Sequence, residues 1–185
     1  MILNEKDFKN EGIKIAAYLM SESARTAPKS KGEDVIEIVY VDGEDLEKIA
    51  VKMEEMSSST GDKDFLRDAE SLRKSQAVLL IGAKGDKTIG VNCEACGFKG
   101  CAEFKKAKRG GENFVGPNCA FRLIDLGIAL GSAVKLSAII GVDTRIMYRI
   151  GMAAKKLEII NSDVVMGIPI SALGKSPYFD RIPKK

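Results

Sequence analysis

Four cysteines are the residues best placed to do chemistry. Cys93, Cys96, Cys101 and Cys119 follow the spacing C-x2-C-x4-C-x17-C, and the chain has no other cysteine and no histidine. In a reducing compartment, thiols crowded into one segment read as metal ligands rather than disulfides. The missing imidazole removes Ser-His-Asp triads, Cys-His dyads, histidine-ligated zinc and histidine-ligated iron–sulfur centres. Structural zinc commonly uses two separated C-x2-C knuckles, and here only Cys93 and Cys96 form such a pair. The spacing matches neither the plant-type nor the bacterial two-cluster ferredoxin run. Three clustered thiolates and one remote thiolate suit a cubane 4Fe-4S cluster, and a structural zinc is the alternative.

The segment Cys93-Glu-Ala-Cys-Gly-Phe-Lys-Gly-Cys101-Ala-Glu-Phe resembles the 4Fe-4S domain of the B subunit of Rnf-type electron-transport complexes and of corrinoid iron–sulfur proteins. That resemblance, over about thirty residues, implies that all four cysteines are ligands. Gly97 and Gly100 are expected to turn the loop tightly and aim N–H groups at the sulfurs, with Phe98 shielding one face. Lys99, Lys105, Lys106, Lys108 and Arg109 would partly offset the negative charge of a cluster, and they equally suit a solvated face or a docking site for an acidic redox partner.

These ligands need elements to hold them. Asn4 with Asp7 predicts a helix start; Phe8, Ile15 and Leu19 share one face, with Ala16, Met20 and Ala24 beside them, to about Ala24. A basic loop, Arg25 to Gly32, precedes a strand over Val35–Val41. Two amphipathic helices follow, carrying Leu46 to Met56 and Phe65 to Leu72, then a strand at Ala77–Ile81. The glycine-rich stretch 84–120 changes character and is expected to be an inserted cluster-binding module, leaving 1–83 and 121–185 as the core domain. Phe121 to about Ile140, apolar almost all round, is the expected central helix, with Gly127 and Gly131 permitting close approach. Asp143 or Thr144 is expected to cap a helix carrying Ile146 to Leu157, before a third strand at Val164–Ile170 and an irregular tail from Ser171 to Lys185. The order predicts an α+β fold, a mixed sheet and helices around that central apolar helix.

With 29 basic and 26 acidic side chains among 185 residues, the net charge of +3 is too mild for a dedicated nucleic-acid or membrane binder. Charges interrupt every apolar stretch of residues 1–20, so no leader is expected and the cytoplasm is the expected compartment. Asp125, Lys135 and the preceding Arg122 read the long apolar helix as buried rather than lipid-spanning.

Nearly the whole chain resembles a bacterial and archaeal family of ferredoxin-domain-containing proteins of unassigned function. The likeness is carried by Ala24-Arg-Thr-Ala-Pro-Lys-Ser-Lys-Gly32, Phe65-Leu-Arg-Asp-Ala, Asp125-Leu-Gly-Ile-Ala-Leu-Gly-Ser-Ala133, Arg145-Ile-Met-Tyr, and the run from Gly167 to Arg181. The order of elements is also similar to that of flavin-dependent nitroreductases, which implies a homodimer binding FMN at the subunit interface. On that likeness Arg25, Lys29, Ser30 and Lys31 match the loop holding the flavin phosphate and ribityl chain, and Gly167, Ile168 and Pro169 would lie near the ring. Gly32-Glu-Asp-Val departs from that family's Asn and Gln-Pro-Trp. Two roles follow: an oxidoreductase passing electrons between flavin, cluster and a partner protein, or a non-catalytic electron carrier or redox sensor.

Overall fold

The computed structural model describes residues 1–179; Asp180 and Arg181 of the last family motif lie outside the described residues. Helix α1 (Glu5–Thr26) starts where the Asn4 N–H donates to the Asp7 carboxylate at 2.8 Å. A short 3-10 turn, Ser30–Gly32, leads into strand β1 (Ile36–Asp42) and helix α2 (Gly43–Thr60). Helix α2 stops at Gly61, whose φ of +74° suits glycine and whose N–H closes on the Ser57 carbonyl. Helix α3 (Asp64–Arg73) and strand β2 (Ala77–Ala83) complete the first half.

Short helix α4 (Cys101–Lys106) lies in the glycine-rich stretch, followed by long helix α5 (Ala120–Ile140), strand β3 (Asp143–Thr144), helix α6 (Tyr148–Lys156) and strand β4 (Val164–Ser171). The sheet order is β1-β2-β4-β3, and where a mixed sheet was expected every pairing is antiparallel. Strand β2 is buried along its whole length because helices cover both faces. On one face Leu46, Met53, Phe65, Leu72 and Ile150 pack from α2, α3 and α6. On the other, Ile13, Met20, Leu126 and Leu130 pack from α1 and α5. Those two helices run antiparallel: Ser30 meets Asp125 near the start of α5, and Ser23 meets Ser132 two turns further on.

Three expectations need correction. Asp143 and Thr144 do not cap a helix; they pair with β4, and α6 begins at Tyr148. Gly167 exchanges both backbone hydrogen bonds with Met147, so Pro169, two residues on, faces the same edge without an N–H to give, and the ladder breaks there. Helix α1 buries Ile13, Ala16, Ala17, Met20 and Ala24, whereas Phe8, Ile15 and Leu19 face outward. Helix α5 is an outer helix rather than a central one: Ile124, Ile128 and Ile139 are exposed, and a Cβ at Gly127 or Gly131 would meet open space.

Candidate metal centre

The segment between β2 and α5 is fastened at its base. Asp163, in the turn before β4, donates its N–H to Ala83 O at 3.0 Å, accepts the Val115 N–H through its carbonyl at 3.0 Å, and pairs with Arg109 at 2.9 Å. Gly110 and Gly116 exchange backbone hydrogen bonds, closing a loop beneath which Asn118 donates to Val115 O at 2.9 Å. The Cys119 N–H donates to Gly85 O at 2.8 Å, joining the exit of β2 to the start of α5. Gly85 is required by that approach, because a Cβ there would stand 1.9 Å from Asn118 Oδ1.

All four thiols are free: Cys93 is exposed, Cys96 and Cys101 are half-buried, and Cys119 is buried. Between Cys93 and Cys96 the chain turns sharply, with Glu94 at φ +60° and the Gly97 N–H, at φ +82°, closing on Glu94 O at 2.8 Å. Asn92, also left-handed at φ +49°, accepts the Cys101 N–H on its Oδ1 at 2.9 Å. Donation to the Cys101 sulfur from the Asn92 backbone N–H is the largest influence on that thiol; burial opposes it, and the Gly90 N–H, Thr88 hydroxyl and Val91 N–H reinforce it, placing its pKa below the ordinary cysteine range. Thr88 Oγ1 is buried and has no partner at full hydrogen-bond geometry among the described residues. A thiol biased toward thiolate is primed for metal.

Gly100 is extended at φ 169° and starts α4, and a Cβ there would stand 3.1 Å from Asn92 Oδ1. Phe98 packs edge-on against buried Phe104, centroids 5.5 Å apart. Lys99, Lys105, Lys106 and Lys108 are exposed and form no ion pair among the described residues, while Arg109 is spent on Asp163 and Pro117 O. Among the described residues no three His, Cys, Asp or Glu side chains stand close enough to hold one metal ion. The donor chemistry fits a thiophilic metal, and ligation itself would supply the force that draws the loop around it.

The loop assigned to a flavin phosphate is differently occupied. Arg25 binds Asp34 at 2.6 Å and Ile36 O at 2.8 Å. Lys29 caps the end of α1 through Ala24 O and Arg25 O, and burial pushes its pKa down. Both the N–H and the hydroxyl of Ser30 donate to Asp125 Oδ1 at 2.8 Å. Of this loop's cations the Lys31 amine alone forms no hydrogen bond or ion pair among the described residues, and it lies beside Gly90. As folded, Asp125 takes both donors of Ser30 and Asp34 shares Arg25, so a phosphate here would compete with two internal carboxylates. Gly167, Ile168 and Pro169 are buried inside β4. Sequence reasoning missed Asn92, Thr88, Asn118 and the role of Arg122; the Asn92–Cys93 and Asn118–Cys119 pairs were the available signal, since asparagine tolerates left-handed backbone and binds nearby main chain.

Residues 115–181 match a family described as "Uncharacterized protein containing a ferredoxin domain (DUF2148)". An uncharacterized protein of Archaeoglobus fulgidus is 80% identical over 185 residues, the whole of both chains. Among solved structures, nitroreductase CinD from Lactococcus lactis in complex with nicotinic acid superposes with a TM-score of 0.58 at 12% identity, over 93% of this chain and 84% of that one. A nitroreductase with bound FMN from Desulfitobacterium hafniense gives 0.56 at 10% identity, over 92% and 82%. An oxidoreductase containing FMN gives 0.56 at 18% identity, over 88% and 68%. At these identities the likeness shows the fold alone, which is that of the nitroreductases. The chain belongs to one family with the Archaeoglobus fulgidus protein, and its residues 115–181 match the model of uncharacterized proteins containing a ferredoxin domain.

Proposed function

We propose that this protein is an iron–sulfur redox protein in which Cys93, Cys96, Cys101 and Cys119 hold one 4Fe-4S cluster on the module 84–120. The observation that carries the reading is that every cysteine of the chain lies between residues 93 and 119, in a segment where the Asn92 side chain holds the Cys101 N–H at 2.9 Å. The bound cluster would supply one-electron transfer. The protein's part is to present thiolates, hydrogen-bond their sulfurs and place exposed lysines around the loop. Lys99, Lys105, Lys106 and Lys108 suit an acidic redox partner docking there. The outward apolar faces of α1 and α5 suit a second copy of the chain, making a homodimer, and free thiol ligands suit a reducing cytoplasm.

FMN is the second reading, favoured by the fold of the FMN-bearing neighbours. At loop 25–31 it would require Asp125 to release Ser30. Iron, sulfide, zinc and flavin measured on one anaerobically purified sample decide among these. About four iron and four sulfide per chain are expected for a cubane. Added stoichiometric FMN would make the protein a flavin-dependent oxidoreductase, and the cluster alone a carrier or sensor. Zinc without iron would overturn the proposal in favour of a structural zinc domain.

A further inference from the structure

Arg122 is the largest fully buried side chain of the protein. Its Nε donates to Lys87 O at 2.6 Å, in the segment leading to the cysteines. Its Nη1 reaches Ser30 O and Glu33 O at 3.3 Å and Asp125 Oδ2 at 3.2 Å, and its Nη2 pairs with the Glu33 carboxylate. Asp125 in turn holds Ser30 through its other oxygen. One helical turn before Arg122, Cys119 receives the start of α5 on its carbonyl and donates to Gly85. A single guanidinium therefore ties the loop after α1, the segment entering the cysteines and the helix that follows Cys119. A fold alone does not ask for this, since a buried ion pair is often replaceable by apolar packing at no loss of stability.

Resting on the cluster reading above, we propose that Arg122, oriented by Asp125, is a positioning residue for the metal centre: it fixes Lys87 and so the run 88–92, whose Asn92 Oδ1 holds the Cys101 N–H at 2.9 Å. The forked guanidinium is needed because its acceptors lie on different segments; a lysine keeps the charge but cannot span them. Loosening Lys87 loosens the hold of Asn92 on the Cys101 N–H, and a change in hydrogen bonding and exposure at a cluster ligand moves the reduction potential. Outer-shell losses of this kind commonly weaken metal binding by roughly 10–100-fold.

The test compares wild type and Arg122→Lys after anaerobic reconstitution with iron and sulfide. Far-ultraviolet circular dichroism reads folding, loss of cluster absorbance to a chelator reads retention, and a dye-mediated redox titration followed by electron paramagnetic resonance reads potential. The variant is expected to fold, to lose its cluster at least about tenfold faster, and to titrate at a potential shifted from that of the wild type. A folded variant with wild-type release and potential overturns the proposal. Should Arg122→Lys fail to fold, Ser30→Ala removes one Asp125 tether and must shift release and potential the same way, and wild-type values there also overturn it. A wild type that takes up no iron overturns the cluster reading itself, whereas a cluster-bearing wild type beside an indistinguishable variant sinks only the role of Arg122.

Discussion

Substituting Gly85 by alanine tests how the cysteine segment is mounted. The new Cβ would lie 1.9 Å from Asn118 Oδ1, 2.6 Å from its Cγ and 2.8 Å from its Cβ, so the obstacle is the whole Asn118 side chain and not a mobile tip. Asn118 cannot yield freely: its Nδ2 donates to Val115 O at 2.9 Å, and the next residue, Cys119, is bonded to Gly85 O at 2.8 Å. Forcing an extra carbon into such a contact costs about 1–3 kcal/mol. Losing the Asn118 bond adds about 1 kcal/mol. The expected loss is about 2–4 kcal/mol, and at about 2–4 °C per kcal/mol for a chain of this size the melting temperature should fall by roughly 4–16 °C. Differential scanning calorimetry reads the shift. Asn118→Gly in the same chain removes the obstructing atoms and should recover most of the clash, though not the hydrogen bond. A Gly85→Ala protein melting with the wild type would refute the reasoning, as would a double variant no more stable than the single one.

Arg149 bridges Asp62, Asp64 and Asp68 at 3.0–3.3 Å and lies over the Tyr148 ring at 4.8 Å. Arg149→Ala strands the buried Asp68 with Arg67 alone and should cost about 2–3 kcal/mol, less than a fully buried pair because Asp62 and Asp64 reach solvent; an unchanged urea midpoint would contradict this. Ile128→Glu places a charge on the outward face of α5 and should leave circular dichroism intact while converting the proposed homodimer to a monomer in light scattering; a variant still dimeric would move the interface elsewhere, and a monomeric wild type would remove the homodimer. Burial, then donation to Asp42, raises the pKa of Tyr40, and burial raises that of Tyr178. Both folded values exceed the unfolded value of about 10, so their contribution is whole below that pH and is lost as pH climbs beyond it. Tyrosinate absorbance should therefore show Tyr40 and Tyr178 ionising only alongside alkaline unfolding, and Tyr178→Phe should remove one delayed step. Stripping the proposed cluster with a chelator should speed amide exchange over residues 88–108 while leaving β2 (residues 77–83) protected; uniform loss of protection would deny the module its independence.

Much of the fold was legible because burial writes itself as period. Strand β2 is apolar at every position, and buried strands of this kind need no alternation to be recognised. Helix α1 misled because it has two apolar faces, and periodicity cannot say which one a chain buries against itself: Ile13, Ala17 and Met20 went inward, Ile15 and Leu19 outward. The same ambiguity made α5 read as central. Strand β3 was hidden because two residues carry no period, and its pairing depends on β4, almost thirty positions away. The cysteine spacing was legible, whereas the surroundings of those cysteines were not. That Asn92 binds Cys101, or that Arg122 spans Ser30 and Lys87, is a fact of tertiary contact between residues whose types fit many roles.

The scaffold and the module differ in what can hold them together. Each face of the sheet carries its own apolar core, so the scaffold has sufficient burial to order itself. Between residues 84 and 120 the buried apolar side chains are Ile89, Phe104 and Cys119, one of which is a proposed ligand. Ordering each residue of that loop costs about 1–2 kcal/mol, and full burial of one large side chain returns only about 1.5–3 kcal/mol. The polar fastenings, Arg109 to Asp163 and Arg122 to Lys87, lie at the two ends where the loop meets the scaffold. Its tip, from Val91 to Lys99, is half-buried or exposed throughout. A segment so built has its anchorage set by the fold and its interior left for a ligand to fill, which is the role thiolate-bound metal plays in small metallo-domains. On the proposed cluster reading, the cysteines would serve the module as its missing core as well as its chemistry, and the nitroreductase-like scaffold would contribute the fixed ends from which that core can close.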